Sequence, residues 1–370
     1  MTISLHAQLS AALREQIRNG SLRPAAQLPT ELVLATEYGI SRGTVRQAMD
    51  ALVREGYVER VQGRGTFVRA VPPEAPQPGT RRVGLVLPYM RDQLMLDIIV
   101  GVEHAVKARG YQVSFAYADE RIEQEARDIA RLRADGVAGM IIFPVSNVHY
   151  DEPIWQLRAA GVPLVLVDRY FPDLDTDCVI ADNWGGTYRA TEHLIILGHS
   201  RIAFAYASTV GLDTTSVRDR FAGYQQALGD YGLPADAQLV WCRPPSSDTV
   251  PGVWYRDRLR ERERPSAVVA VNDHEALMLL QAAQRSELRV PDDLALVGFD
   301  DLPHVMHLNP PLTTVAQPRV DLGLHAGNLL VNRIEGQDGP LRQMRLPTSL
   351  IVRESCGAKL HVRQLTGVAS

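Results

Sequence analysis

Residues Leu28 to Val68 read LPTELVLATEYGISRGTVRQAMDALVREGYVERVQGRGTFV. Thr30 is suited to cap a short helix that carries Leu32, Ala35 and Tyr38. Gly39 interrupts that helix, and Ser41 can cap the next. From Val45 the apolar residues fall at Val45, Ala48, Met49, Leu52 and Val53, a helical spacing with one buried face. Gly56 is placed to end this helix. Its opposite face carries Gly43, Arg46, Gln47, Asp50 and Arg54, with Arg42 in the first turn. Two short strands, 57–61 and 66–68, then flank Gln62-Gly63-Arg64-Gly65. Helix, glycine turn, helix and hairpin in this order predict a winged helix-turn-helix. Its second helix is the one that lies in a major groove with its N-terminal residues on base edges. Arg46 suits either a guanine or a phosphate, and the outward Gly43 leaves room for close backbone approach to DNA. The glycines around Arg64 suit an approach to phosphates or the minor groove.

Four motifs in this stretch, LPTE, ISRGTVRQA, LVREGYVER and QGRGTFV, resemble in order and spacing the DNA-binding head of GntR-family transcription regulators. The resemblance runs from about Leu5 to Arg69. It implies that Thr30 touches phosphate, that Arg42, Thr44 and Arg46 sit at the DNA, and that Gln62, Gly63, Arg64, Gly65 and Thr66 form the wing. Ser41, Gly43 and Gln47 complete the candidate DNA-binding set.

Working outward, the 370 residues suggest two or three domains, and a hydrophobic share of 45% fits a globular protein with a sizeable core. The net charge is −4, but it is uneven. Residues 1–80 hold nine Arg, no Lys and seven acidic residues, a net +2, so the remainder stands at −6. Positive charge gathers where a polyanion would be met. Three cysteines, Cys178, Cys242 and Cys356, stand far apart without metal-binding spacing, which points to a reducing compartment and plain thiols. No metal or cofactor is expected. The N-terminus lacks the features of a signal peptide, and no apolar run reaches membrane-spanning length, so a cytoplasmic protein is expected.

Leu5, Leu9, Leu13 and Ile17 mark a first amphipathic helix under the head, with Gly20 and Pro24 ending it. Residues 70–80, AVPPEAPQPGT, hold four prolines and a glycine and read as an extended linker after a head of residues 1–69. From Arg81, apolar β runs at 83–87, 113–117, 139–143, 164–167, 202–205, 267–271 and 294–299 alternate with amphipathic helices at 96–109, 123–134, 184–197, 219–231, 275–285 and 320–335. This pattern predicts an α/β domain over 81–357, and the strands are too many for one compact sheet. Two doubly wound parallel lobes are expected, followed by a tail over 358–370. No internal repeat is visible.

In such folds ligands bind at the carboxyl ends of the strands, here a cleft between lobes. Polar residues collect there: Tyr89 after the first strand, Asp168-Arg169 after LVLV, Asn272-Asp273 after AVVAV, and Asp300-Asp301 after ALVGF. Carboxylates, amides and guanidinium groups suit a polyhydroxylated ligand. Each also has a plain structural use: Asp168, Asn272 and Asp300 as helix caps, Arg220 as a surface charge.

The same positions carry a second resemblance. VPLVLVDRYFPDLDTDCVIADNWGGTYRATEHLIILGHSRIAF, RDRFAGYQQAL, AVVAVNDHEAL, VPDDLALVGFDDLP and NPPLTTVAQPRVDLG resemble the effector domain of lactose- and galactose-repressor proteins, itself similar to periplasmic sugar-binding proteins. The resemblance implies Tyr89, Asp168, Arg220, Asn272, Asp300 and Gln317 as effector-binding residues. The segment MRDQLML after Tyr89 departs from the usual pattern. A GntR-type head on this domain resembles the arabinose-repressor group. It implies a dimeric repressor that a small sugar releases from operator DNA; an activator, or a repressor answering to a nucleoside or purine, is the alternative. No nucleotide-binding or hydrolase signature is present, and Asp300-Asp301, adjacent on a strand end, point apart, so no enzyme is expected.

Overall fold

The computed structural model describes residues 5–18, 22, 26–54, 57–61, 64–68, 81–146, 152–208, 211–245, 252–337 and 339–358. The chain divides into two compact units, Met1–Gln77 and Pro78–Ser370.

In the first unit, α1 (Leu5–Arg18), α2 (Glu31–Glu37) and α3 (Arg42–Arg54) precede an antiparallel hairpin, β1 (Val58–Val61) and β2 (Gly65–Val68). The Thr30 hydroxyl accepts from Val33 N (3.4 Å) and caps α2. Ser41 Oγ accepts from Thr44 N (3.1 Å) and caps α3. One core joins Leu9, Leu13, Ile17, Val45, Ala48, Met49 and Leu52 to Leu28, Leu34 and Val68. On α2 it is Leu34 that is buried, whereas Leu32 stands 60% exposed. Ala35 and Tyr38 pack half-buried against this core, and the fully buried residue of the seven-residue helix is Leu34 rather than Leu32, a phase that so short an apolar run does not fix. Gln27 pairs with Phe67 as a third, one-residue rung of the wing. Its Nε2 donates to Arg64 O (2.8 Å). Gly65 has φ 118°, and a Cβ there would meet Gln27 Nε2 at 2.6 Å, so the wing needs glycine at this position. Gln62 and Gly63, the linker at 70–80, the tail after 358, and the helix-ending Gly20, Pro24 and Gly56 lie outside the described residues.

The second unit holds two six-stranded sheets. In the first lobe β3 (Arg82–Leu87), β4 (Gln112–Tyr117), β5 (Met140–Ile142), β6 (Leu164–Val167), β7 (Asp177–Ala181) and β13 (Gln343–Leu346) are all parallel. In the second, β8 (Ile202–Ala207), β9 (Val240–Arg243), β10 (Ala267–Ala270), β11 (Ala295–Asp300) and β12 (Thr313–Ala316) are parallel, and β14 (Ser349–Ile351) is antiparallel. Both sheets have one order: within each lobe the second strand lies outside the first, and the third to sixth follow on its other side. The reversal between first and third strands opens a crevice at their carboxyl ends. Helices cover both faces, so the strands read as unbroken apolar runs. The two doubly wound lobes expected from the sequence are present. The expected strands appear, shifted by one or two residues at their ends. β7, β9, β12, β13 and β14 were not read from the sequence because they are short, polar at one end or at a sheet edge. Helices α6 (Glu152–Ala159) and α9 (Val253–Leu259) are likewise additions.

The chain passes between lobes three times: from β7 to α7 (Asn183–Ile196), from β12 to α11 (Arg319–Ile334), and from β13 to β14. In the first lobe α11 crosses α4 (Gln93–Lys107) with backbones in contact. A Cβ at Gly101 would lie 2.0 Å from Val320 O, and one at Gly323 would lie 2.1 Å from Ile98 O. In the second lobe α8 (Thr215–Asp230) meets α7 in the same way, with Gly223 against Trp184 O. Gly323→Ala forces two helix backbones apart and should cost about 1–3 kcal/mol. Gly229→Ala, on the exposed end of α8 with nothing within 4 Å, should instead stabilise by up to about 1 kcal/mol. Urea unfolding of the two variants checks the opposite signs.

Candidate functional site

On the head, Arg42, Gly43, Arg46 and Gln47 are exposed along α3, while Thr44 is half-buried with its hydroxyl 2.8 Å from Ser41 Oγ. Thr30, Arg64, Gly65 and Thr66 belong to the same unit, Thr30 at the start of α2 and the others at the start of β2. Arg46, 61% exposed, is not idle in solvent. Its Nε and Nη2 donate to Glu31 Oε2 (3.3 and 3.1 Å), which holds the guanidinium above its ordinary pKa. Arg60 on β1 lies 3.9 Å from Glu31 and 2.7 Å from Asp50. A lattice of alternating charge thus ties α2, α3 and the hairpin together on the recognition face. Each cation there can change an exposed carboxylate for a phosphate or base edge at small cost, because exposed pairs are weak. Arg46→Ala should reduce affinity for an operator selected from a random-sequence pool, by on the order of 1–3 kcal/mol if it reads a guanine, at one position. An unchanged binding isotherm across operator variants would remove α3 from the interface.

In the second unit, Arg220, Asp300, Gln317 and Asp168 come together, each at most 6% exposed. Arg220 projects from α8. Its Nε donates to Asn183 Oδ1 (2.8 Å), its Nη1 to Val271 O (2.6 Å), and its Nη2 lies 3.5 Å from Asp300 Oδ1. The guanidinium stacks 3.7 Å above the Phe299 ring. Gln317 Nε2 donates to the same Asp300 oxygen (2.5 Å). Asp168 and Asp300 are not helix caps: both hold left-handed backbone, φ 65° and 112°. Burial raises the pKa of each, against the lowering pull of Arg220. Tyr89, half-buried with Arg91 4.9 Å over its ring, has its hydroxyl pKa raised by burial and by Asp92, Asp300 and Asp168 nearby. Asn272 takes the structural role: its Oδ1 accepts from Glu275 N (2.8 Å) and caps α10 (Asp273–Arg285).

One residue was missed, and another was read as a strand-end polar residue without joining the effector set. Arg169 stacks 5.1 Å from Phe143, and its Nη1 donates to Pro144 O (2.9 Å) and Val145 O (2.5 Å). It stands beside Asp168 in the quoted motif, and an Asp-Arg pair at a strand end was signal enough. Asp92, the N-cap of α4, falls in the segment that departs from the family pattern. Three buried polar atoms at these strand ends have no hydrogen-bond partner: Asp168 Oδ1, Arg169 Nε and Gln317 Oε1. Buried polar atoms are seldom left so, and a set of two acceptors and a donor matches the hydroxyls of a ligand.

The lobes are drawn together around this site. Tyr170 N donates to Thr215 Oγ1 (3.2 Å), Arg218 Nη2 donates to Tyr170 Oη (3.1 Å), and His274 Nε2 on α10 lies 3.5 Å from Asp92 Oδ2. A surface hollow of about 260 Å³ at the β4 edge is lined by Tyr89, Met90, Arg91, Phe115, Tyr117 and Asp119, so Tyr89 borders it as well. Among the described residues no group of three or more His, Cys, Asp or Glu side chains could hold a metal ion, and no helix is long and apolar enough to cross a membrane. Cys178 and Cys356 are buried and Cys242 exposed, all free thiols.

A recognition helix on one unit and a two-lobed, hydroxyl-matching cleft on the other define a DNA-binding transcription regulator with an effector domain of the periplasmic-receptor type. Residues 5–68 match the bacterial regulatory proteins of the gntR family, and residues 191–356 match the periplasmic binding protein-like domain. The arabinose metabolism transcriptional repressor of Geobacillus stearothermophilus is 30% identical over 340 residues, 90% of this chain and 92% of that protein. The regulator CelR of Thermobifida fusca is 32% identical, over 88% of this chain and 98% of its own. A CelR–cellobiose complex superposes with a TM-score of 0.67 at 29% identity, covering 89% of this chain and 100% of that one. A LacI-family regulator from Enterococcus faecium with bound ribose gives 0.64 at 26%, covering 74% and 98%. The chain belongs to the family of bacterial transcriptional repressors that join a gntR-type head to a lactose/galactose-repressor-type effector domain.

The His274–Asp92 bridge sets a pH dependence. Its bond to Asp92, opposed by partial burial, holds His274 above its ordinary 6.5. Burial works against Asp92, yet bonds from His274 and Met95 N hold it below 3.8. The charged bridge is therefore complete between those ordinary values. It fades as pH rises through the raised His274 value and as pH falls through the depressed Asp92 value. The melting temperature of the parent minus that of His274→Gln should be largest near about pH 5.5 and shrink towards about pH 8. A difference that grows with pH would contradict this assignment.

Proposed function

We propose that this repressor releases operator DNA when a small neutral sugar occupies the interlobe cleft, and that it acts in the cytoplasm as a homodimer. The observation that carries the reading is a set of buried atoms without a hydrogen bond, Asp168 Oδ1, Gln317 Oε1 and Arg169 Nε, the last 4.0 Å from Asp168 Oδ2, beside the Arg220–Asp300 pair. Carboxylates accept from adjacent sugar hydroxyls while a guanidinium donates to two at once. Asp92, Asp168 and Asp300 outnumber Arg169 and Arg220. Asp168 and Asp300 already carry pKa values raised by burial, so a phosphate or uronate would be opposed. The bound cellobiose and ribose of the similar regulators are neutral and fit this balance.

Residues 1–69 are assigned to DNA, 70–80 to a proline-rich tether, 81–357 to effector binding and dimerisation, and 358–370 to a tail. The assigned DNA contacts are Thr30, the α3 residues from Ser41 to Gln47, and the wing from Gln62 to Thr66. The effector contacts are Tyr89, Asp168, Arg169, Arg220, Asn272, Asp300 and Gln317. One helix-turn-helix reads too few base pairs for useful specificity, and two related by a two-fold axis fit a palindrome. Exposed Leu96 and Val100, one turn apart on α4, with Phe115 and Tyr117 on the β4 edge and Val320 on α11, offer an apolar face for the second copy.

A thermal-shift screen with L-arabinose, D-ribose, cellobiose, a uronic acid and a nucleoside tests the reading. Saturation to 100 times Kd stabilises the folded state by about 2.7 kcal/mol, a rise of several degrees. Arg220→Lys keeps the charge but not the two-pronged donor, and should lose that rise. A shift only with the uronic acid or the nucleoside would overturn the neutral-sugar assignment. Residues 1–80 alone should sediment as a monomer and bind operator weakly; a dimeric fragment with full affinity would move dimerisation to the head.

A further inference from the structure

Arg319 is the first residue of α11, where the chain leaves the second lobe past Gln317 and enters the first. Its guanidinium spans both. Nη1 donates to the carbonyls of Asp300 (2.5 Å) and Asp301 (2.7 Å) at the end of β11. Nε donates to Asp97 Oδ2 (2.7 Å) on α4 of the first lobe, and Asp97 Oδ1 accepts from Gln93 Nε2 (2.7 Å). The Arg319 and Asp97 side chains are 17% and 18% exposed, so the pair is shielded and its geometry defined.

The two carbonyls are unusual ones. Asp300 and Asp301 both have positive φ, 112° and 52°, a region that non-glycine residues occupy only when neighbours hold them there. Arg319 holds their carbonyls, and Arg353 Nη2 holds the Asp301 carboxylate (2.7 Å). The carboxylate of Asp300 faces the other way, to Arg220 and Gln317. One residue is therefore gripped by its side chain in the cleft and by its backbone at the lobe crossing.

We propose that Arg319 is a positioning residue that couples Asp300 in the cleft to helix α4 of the first lobe. This rests on reading the cleft as the effector site. A ligand that engages the Asp300 carboxylate biases the strained backbone beneath it, and the carbonyls of 300 and 301 carry that bias to Nη1. The guanidinium is planar and rigid, so Nε passes it to Asp97 rather than absorbing it. Helix α4 cannot yield alone, because Gly101 and Gly323 lock it against α11. Asp97 lies between Leu96 and Val100, the exposed apolar residues assigned to the second copy. The lever runs from the cleft to the dimer face, where the spacing of two heads is set.

The test uses the full chain without ligand, read by amide hydrogen exchange. Asp300→Ala removes the carboxylate and places alanine in a backbone region it tolerates poorly. It should raise exchange in α4 (Gln93–Lys107) by roughly 5-fold or more relative to α5 (Ile122–Ala134) of the same lobe, the lower end of ordinary coupling. In an Arg319→Met background, Asp300→Ala should leave α4 unchanged while still loosening β11. Asp97→Asn, nearly isosteric and outside both binding sites, should block transmission in the same way, and decides the matter if Arg319→Met folds poorly. Arg319→Lys should not restore it. An effect of Asp300→Ala that reaches α4 equally in all backgrounds, or never reaches α4 in the parent, overturns the proposal. A parallel titration with L-arabinose, D-ribose and cellobiose separates the two ideas: binding by none sinks the sugar reading and leaves the exchange result to judge Arg319.

Discussion

A guanidinium that cannot lose its charge sits where the second unit most needs a fixed point. Arg220 reaches Asn183 at the first lobe crossing, the Val271 carbonyl at the end of β10, the Asp300 carboxylate at the end of β11, and the face of Phe299. Without it, Asp300 would be a buried carboxylate supported only by Gln317. Removing one partner of such a pair commonly costs about 3–5 kcal/mol. With it, three separate segments are pinned within one side chain's reach. These strand ends are thus ordered by protein contacts alone, and on the proposed reading the atoms left over are the ones the effector satisfies. Preorganisation of this sort lets a small, polar, neutral molecule bind tightly although it buries little apolar surface.

The lobes repeat one strand order without a visible sequence repeat. Parallel pairing, right-handed crossovers and helices on both faces leave few ways to wind such a sheet, so two unrelated apolar alternations reach the same topology. Each lobe then solves its tightest helix contact with glycine, Gly101 and Gly323 in one and Gly223 in the other.

The fold was legible because its signals are periodic. Helical spacing from Val45 to Leu52 and the apolar runs of the inner strands survive any tertiary context. What escaped was short: β9, β13 and β14 are edge strands, half-exposed and partly polar, β7 and β12 are inner strands of five and four residues that begin on polar residues, and α2 has too few turns to fix which leucine turns inward. The site was legible where a polar residue closes an apolar strand, as at Asp168 and Asp300. It was not legible where the alternative uses compete. Asn272 reads as a ligand amide or as a helix cap, and its Oδ1 is taken by the cap. The left-handed backbone at Asp168, Asp300 and Asp301 leaves no mark in residue type, and the orphaned atoms exist only once burial is known.

Charge divides the work. Residues 1–80 carry a net +2 and the rest −6, so long-range attraction to a polyanion is confined to the head and opposed by the larger unit. Even on the head the cations are not bare: Arg46 and Arg60 are shared with Glu31 and Asp50. A phosphate or base edge must displace a carboxylate at each, and a mismatched site does so without the bidentate return that a guanine gives. In the proposed homodimer, two heads engage one operator at once, through the effective concentration that dimerisation supplies. In that proposed dimer, a change of head spacing too small to alter either head's own contacts suffices to release both.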